Sequence, residues 1–366
     1  MGDEANHKPV TLTAVGDIML GESLCVGHGV GSKIKEKGPN FPFLQVASAL
    51  KIGDIVFGNL EAVLSNSSMN KKRLSSVRVR AMPEAVEGLK YAGFNILSLA
   101  NNHILEHGEE ALFETMSILS GRNIKYVGAG PDAAKAREPL MLEIKGITIA
   151  FLSYCLVPDK TAYISIKDPK EICIDAQKAK SRADTLVVSI HWGSEYITRP
   201  SPSQIKLGRQ IIDSGANIIL GHHPHVLQGV ESYKDGVIAY SLGNFVFDLV
   251  FLEETRNSVI ADFGLSKKGI VNYKLSPIYI DEQYAPRPLQ GEKKDDLLTR
   301  LDTLSLELKE ENLGNYEERE KEYKKQVEVL RRHASKRMMR YYARNIYRYP
   351  PQFVFQTAIE YLRKHL

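Results

Sequence analysis

Cysteine is scarce. The 366 residues contain three, Cys25, Cys155 and Cys173, with no paired spacing among them. Neither a disulfide framework nor a thiolate zinc site can be assembled from that set, so any metal has to be held by His, Asp, Asn or Glu. Long apolar runs are missing too: no stretch approaches the roughly 20 residues of a membrane-spanning helix, and the opening Met1 to Lys8 lacks the apolar region of a signal peptide. Asn at position 6 excludes the myristoylation pattern. As written, the chain reads as soluble and cytoplasmic; with a leader removed, the same sequence would belong to an exported or membrane-associated protein.

A strong net charge is also lacking, at +4 overall, but the charge is unevenly placed. From Pro286 onward there are 18 Lys and Arg against 13 Asp and Glu, and 30 against 31 before it. The excess positive charge belongs to the tail. Within it, Val329 to Tyr349 holds seven Lys or Arg and no acidic residue.

What is present is a globular composition, 43% hydrophobic and 25% charged, long enough for one large domain with an appendage. Short apolar runs recur at residues 10–15, 54–57, 96–100, 147–152, 185–190, 217–220, 237–240 and 259–263. Their length and β-branched content predict buried strands. Helical spacing fills several gaps, as with Ala85, Val86, Leu89 and Ala92 before Gly93, and Leu112, Met116 and Leu119 before Gly121. Strands alternating with helices indicate an α/β protein. From about Leu289 the pattern becomes helical, with Leu297, Leu298, Leu301, Leu304 and Leu308 on one stripe, expected to pack on the main domain. The organisation read from this is an N-terminal tail 1–9, a main domain 10–285 and a basic helical extension 286–366.

Chemistry-bearing residues stand just after these strands: Asp17, Glu61, Asn102 with His103, His191, and the cluster His222, His223 and His225. Side chains from separate segments converge at the carboxyl ends of strands in α/β sheets. Imidazole, carboxylate and amide oxygen together suit one or two divalent transition ions, Mn, Fe or Zn, with a carboxylate bridging a pair. Such a pair serves hydrolysis of a phosphate ester. Each residue also has a plainer reading: Asp17 as a turn or cap residue, Asn102 as a turn residue, His103 as a satisfied histidine at a helix start. The combination at five strand ends favours the metal site.

The segments Gly16-Asp17-Ile18-Met19-Leu20-Gly21, Gly58-Asn59-Leu60-Glu61, Ala100-Asn101-Asn102-His103, His191-Trp192-Gly193-Ser194-Glu195-Tyr196, Gly221-His222-His223-Pro224-His225 and Tyr240-Ser241-Leu242-Gly243-Asn244-Phe245 resemble, in the same order, the CapA family of capsule or poly-γ-glutamate biosynthesis proteins. That family lies within the calcineurin-like metallophosphatase superfamily. The resemblance covers about residues 10–265. It implies a four-layer α/β/β/α sandwich, with Asp17, Glu61, Asn102, His191, His223 and His225 as metal ligands, Glu61 bridging, and His103 as the acid or base beside them.

One departure from the wider superfamily is Met19, where a histidine ligand usually stands. A thioether is a poor ligand for hard divalent ions, so Met19 is expected to pack, leaving one metal weakly held, labile or absent. Arg80, Glu195, His222 and Asn244 are candidates for substrate contact: Arg80 for a carboxylate or phosphate, Glu195 for an amine or for holding His191. A surface charge for Arg80 and a turn role for Asn244 are the plainer readings. Glu106 replaces the Asp expected after Asn102 and His103.

The resemblance implies a metal-dependent hydrolase acting on a phosphate ester or a capsule-related polymer such as poly-γ-glutamate; a non-catalytic, polymer-gripping component of the capsule-synthesis machinery is the alternative. An anionic polymer or phosphoester is the expected partner, and nucleic acid is not. The basic tail is either a solvated helix face or a surface for an acidic polymer or a membrane.

Overall fold

Runs of apolar residues that alternate between two buried faces have to be covered on both sides. Val10–Ile18, Ile55–Leu60, Thr185–His191 and Ile218–His222 are such runs, buried along nearly their whole length. In the computed structural model, which describes residues 8–157, 168–309 and 315–365, they form the centres of two sheets. The first sheet runs in the order Pro286–Pro288, Gly269–Ile280, Asn257–Ser266, Val10–Ile18, Ile55–Leu60, Ile96–Ser98, Lys125–Val127, with Asn244–Val246 also paired to Val10–Ile18. The second runs Val230–Tyr233, Gly236–Ala239, Ile218–His222, Thr185–His191, Ile147–Cys155, Leu140–Ile144. The central strands of each sheet are parallel; the outer ones are antiparallel except Lys125–Val127, which pairs in parallel at one edge of the first sheet.

The sheets face each other. Leu12, Phe57 and Ile96 of the first meet Phe151, Val187 and Leu220 of the second, and Phe57 stacks on Phe151 with ring centroids 5.7 Å apart. The alternate residues point outward. Val56 and Leu97 pack under Leu89 and Leu112 of helices Val86–Ala92 and Glu109–Ser120. On the other side, Leu186, Val188 and Ile219 pack under Ile172, Ile205 and Ile211 of helices Pro169–Lys180 and Pro202–Asp213. The result is the four-layer α/β/β/α sandwich implied by the motifs.

Strands at residues 125–127, 140–144, 230–233, 244–246, 269–280 and 286–288 are additional to those read from the sequence. They are mostly edge strands or short ones. Gly269–Ile280, for instance, is half exposed, so its alternation of polar and apolar residues does not make a buried run. The strand Pro286–Pro288 carries the first sheet past residue 285.

The tail packs on the sandwich. Helix Gly291–Leu306 places Leu297 and Leu301 in the core between the sheets. The 30-residue helix Tyr316–Asn345 buries Ala334 and packs Met338, Tyr341 and Tyr342 against the outer core of the first sheet. Tyr341 Oη lies 3.2 Å from Cys25 Sγ, and Tyr349 Oη donates to the Leu24 carbonyl at 3.1 Å. In the last helix, Pro351–His365, Phe353 packs on Val26 and Leu74, and Gln356 accepts from the Leu74 amide at 2.7 Å. No helix among the described residues is long and apolar enough to cross a membrane.

The approach of the Val10–Ile18 strand to the segment before Asn244 depends on Gly16. A Cβ at Gly16 would come within 1.9 Å of the Gly243 carbonyl oxygen, and Asp17 N donates to that same oxygen at 3.0 Å. Gly16→Ala should therefore force the two strands apart and destabilise the protein by about 1–3 kcal/mol, the usual size of an overpacked core site. Urea unfolding checks this; an unchanged midpoint would refute it.

Candidate metal centre

The parallel strands of both sheets end at one rim. Asp17 is the penultimate residue of Val10–Ile18, Glu61 follows Ile55–Leu60, and Asn102 and His103 follow Ile96–Ser98. Across the rim, His191 ends Thr185–His191, and His222 ends Ile218–His222 with His223 and His225 just beyond. Segments as distant as Asp17 and His225 thereby meet.

Two groups of side chains there could each hold a metal ion: Asp17, Glu61 and His225, and Glu61, His191 and His223, with ligand atoms within 4.8 Å of one another in each. Glu61 belongs to both. Its Oε1 lies 3.6 Å from His225 Nε2, 3.9 Å from His191 Nε2 and 3.6 Å from His103 Nε2. Asn102 Oδ1 sits 2.8 Å from His191 Nε2, adding an amide oxygen to the second group. Glu61 is fully buried, and neither of its carboxylate oxygens has a hydrogen-bond partner. An orphaned buried carboxylate among imidazoles is what a cation-binding centre requires, because an unpaired buried charge costs several kcal/mol. These residues fit a divalent metal pair.

The backbone is bent to achieve this. His223 and His225 have φ of 91° and 58°, values that cost a non-glycine residue about 1–3 kcal/mol each. Asp17 Oδ2 accepts from the His223 amide at 3.2 Å, fixing the turn to the first sheet.

Burial sets the electrostatics. It pushes the Glu61 carboxyl well above the usual range. Burial also raises Asp17, but the imidazoles of His222 and His225 outweigh it and hold Asp17 low and ionised. His191 is pushed well down by burial and then by His223, and His223 is lowered to about 3 by burial and then by His225. Both imidazoles are thus neutral, as metal ligands must be. His225 goes the other way, to about 10, because Glu61 and Asp17 overcome the opposing effect of burial.

His103 stands at the mouth, its side chain 25% exposed. Its Nδ1 lies 2.7 Å from Glu106 Oε2, which fixes the ring. Burial raises the Glu106 carboxyl, but the bond to His103 more than offsets this and leaves it below its ordinary value.

Three of the four residues expected to meet substrate are buried. His222 lies behind Asp17, buried, with Nδ1 3.2 Å from Asp17 Oδ1. It faces inward because it continues the Leu220 face of its strand, two residues on. Asn244 is fully buried, its Oδ1 2.9 Å from His225 Nδ1 and its Nδ2 donating to the Thr255 carbonyl at 3.0 Å. With Nδ1 engaged there, His225 turns Nε2 toward Glu61. Arg80 is also buried and donates to the Ser67 carbonyl at 2.7 Å. Glu195 is half-buried and near enough to raise Glu61 and His225 electrostatically. Met19 is buried in the outer core of the first sheet, as expected of a packing residue.

Two positioning residues escaped the sequence reading. Asn59 Nδ2 donates to Asp17 Oδ1 at 2.8 Å and lies 3.4 Å from His191 Nδ1. Asn101 Nδ2 donates to Asn59 Oδ1 and the Leu60 carbonyl, while its Oδ1 accepts from the His103 amide at 3.2 Å. For Asn59 the available signal was an asparagine inside an apolar strand.

A model of the bacterial capsule synthesis protein PGA_cap matches residues 11–249. The chain belongs to this family. It is 33% identical over 296 residues to the capsule biosynthesis protein CapA of Bacillus anthracis, covering 77% of this chain and 70% of that protein. It is 35% identical over 291 residues to the PGA biosynthesis protein CapA of Bacillus subtilis, covering 77% and 74%. Among solved structures, a phosphatase from Mycoplasma pneumoniae superposes with a TM-score of 0.49 at 14% identity, covering 75% of this chain and 95% of that one. The matched PGA_cap segment contains every residue of the two candidate ligand groups.

The shared carboxylate makes a specific prediction. With Mn²⁺ supplied, the protein should hold two ions, Glu61→Ala neither, and Asp17→Ala or His223→Ala one. The Asp17 group, with three side chains against four, should release its ion first to a chelator. Metal analysis checks this; full metal content in Glu61→Ala would refute the shared site.

Proposed function

We propose that this protein is a metal-dependent hydrolase of the CapA type, cleaving a phosphate ester or a poly-γ-glutamate-related polymer in capsule synthesis. The observation that carries the reading is Glu61, buried without a hydrogen-bond partner between two sets of ligand side chains. Asp17, Glu61 and His225 would hold one ion, and Glu61, Asn102, His191 and His223 the other. Bound divalent ions supply Lewis acidity, which brings the ionisation of water toward neutral pH and stabilises developing negative charge.

The chain's own residues do the rest. Asn59 and Asn101 tie the ends of neighbouring strands together, so Asp17, Glu61 and His103 keep fixed relative positions. His103 presents Nε2 toward the pocket while Glu106 accepts at Nδ1. That arrangement lets a proton pass from Nε2 to the leaving oxygen and leaves the ring oriented for its return. Glu195 disfavours bare anionic groups on its side of the mouth and favours an amine. The names of the Bacillus relatives, in capsule and PGA biosynthesis, support the capsule context.

A second reading rests on Met19. It leaves the Asp17 group one ligand short of the pattern in the wider superfamily, which suits a site that grips an anionic polymer through its metal without cleaving it. Assays on a generic phosphodiester and on poly-γ-glutamate, alongside binding of the same polymer, separate the two. Turnover supports the hydrolase; polymer binding without turnover supports the assembly role. For the hydrolase, His103→Ala should lower kcat by about 10²–10⁴-fold, the usual worth of a general acid, with metal content nearly unchanged. Equal loss of metal and activity would make His103 a ligand instead.

A further inference from the structure

The long helix Tyr316–Asn345 has two unlike faces. Ala334, Met338 and Tyr341 point toward the sandwich. The opposite face, at alternating steps of three and four, is Val329, Arg332, Lys336, Met339, Ala343 and, in the following turn, Ile346, all exposed. Val329 is 65% exposed, Met339 42% and Ile346 53%, followed by Tyr347 at 81% and Phe355 at 69%. Arg337, Arg340, Arg344 and Arg348 are interleaved with them and exposed.

No acidic residue occurs between Glu328 and Glu360, a stretch containing seven Lys or Arg. Arg332 pairs with Glu328 at 2.6 Å; the helix offers the other basic residues no carboxylate of its own within that stretch. Flexible basic side chains alternating with exposed Val, Met, Ile and Tyr are poorly suited to water alone, since apolar surface is left uncovered.

We propose that this outer face is a docking surface for an anionic phospholipid bilayer. Charge complementarity alone would also fit a soluble polycarboxylate, which carries no apolar part to cover Met339, Ile346 and Tyr347. A bilayer offers both. Headgroup phosphates meet the Arg and Lys tips, and the apolar side chains enter the boundary beneath, with the basic stems snorkelling alongside. The helix would lie in the plane of the surface, its inner face still fastened to the sandwich through Tyr341 and Tyr349. This inference does not depend on whether the metal centre is catalytic.

The test is co-sedimentation of the full chain with vesicles of phosphatidylcholine alone or mixed with phosphatidylglycerol. Capture by the mixed vesicles only, weakened by salt, is expected. Each charge removed from Lys336, Arg340 and Arg344 by substitution with Gln should weaken binding about fivefold. The double variant Ile346→Ser, Tyr347→Ser should also weaken it at constant charge, with thermal melting and metal content unchanged. Failure of mixed vesicles to capture the protein overturns the proposal. So does capture indifferent to the Ile346 and Tyr347 substitutions, or binding to soluble poly-γ-glutamate through these same residues without capture by vesicles.

Discussion

A carboxylate in the wrong solvent is the constraint around which this rim is built. Glu61 has both oxygens out of water and no donor to either. In a low-dielectric site an unpaired charge of that kind is worth several kcal/mol of penalty, and proteins meet it by neutralising the group or by supplying a cation. Here the surroundings are prepared for the cation. Imidazole nitrogens from the Thr185–His191 strand and the turn after Ile218–His222 lie 3.6 to 3.9 Å from Glu61 Oε1, too long for hydrogen bonds and suitable for an ion between them.

The two halves of the centre are not electrostatically alike. On the His191 and His223 side, burial keeps both rings neutral, reinforced by His223 at His191 and by His225 at His223. On the Asp17 side, His225 is held protonated by two carboxylates. Met19, just after the strand that carries Asp17, commits its side chain to the core. One sheet thus contributes most of the negative charge and the other the imidazoles, and the stacked Phe57 and Phe151 help hold the distance between them.

Much of this was legible without a structure, for identifiable reasons. Parallel central strands are covered on both faces, so they are written as unbroken apolar runs, and the residue ending each run falls at one rim. Gly93 marks its helix end because it adopts a left-handed φ of 93° there. Edge strands such as Leu140–Ile144 escaped because a half-exposed strand needs no apolar run. Burial and side-chain direction at the site were less legible. Asn244 and His222 carry the right chemistry at the right place, but which way they point is set by strand alternation and by neighbours distant in sequence, Thr255 and Asp17. Arg80 was chosen for its guanidinium, and its short strand with Val63–Leu64 buries it.

The loop after the first strand joins the rim to the tail. Asp248 accepts from the amides of Ser23, Leu24 and Cys25 at 2.9, 3.2 and 2.8 Å, and burial nevertheless pushes its carboxyl up to about 6. Tyr341 and Tyr349 fasten the same loop from the outside. That loop begins directly after Asp17 and Ile18, while Asp248 lies four residues after Asn244, the partner of His225. The Asp17 half of the centre is therefore braced by the C-terminal helices through a short chain of direct contacts, and the long helix also reaches the other half, where Tyr316, Glu320 and Tyr323 line one cavity with Trp192, Gly193 and Ser194 just after His191. Both candidate ion sites thus have the appended helices behind the segments that carry their ligands.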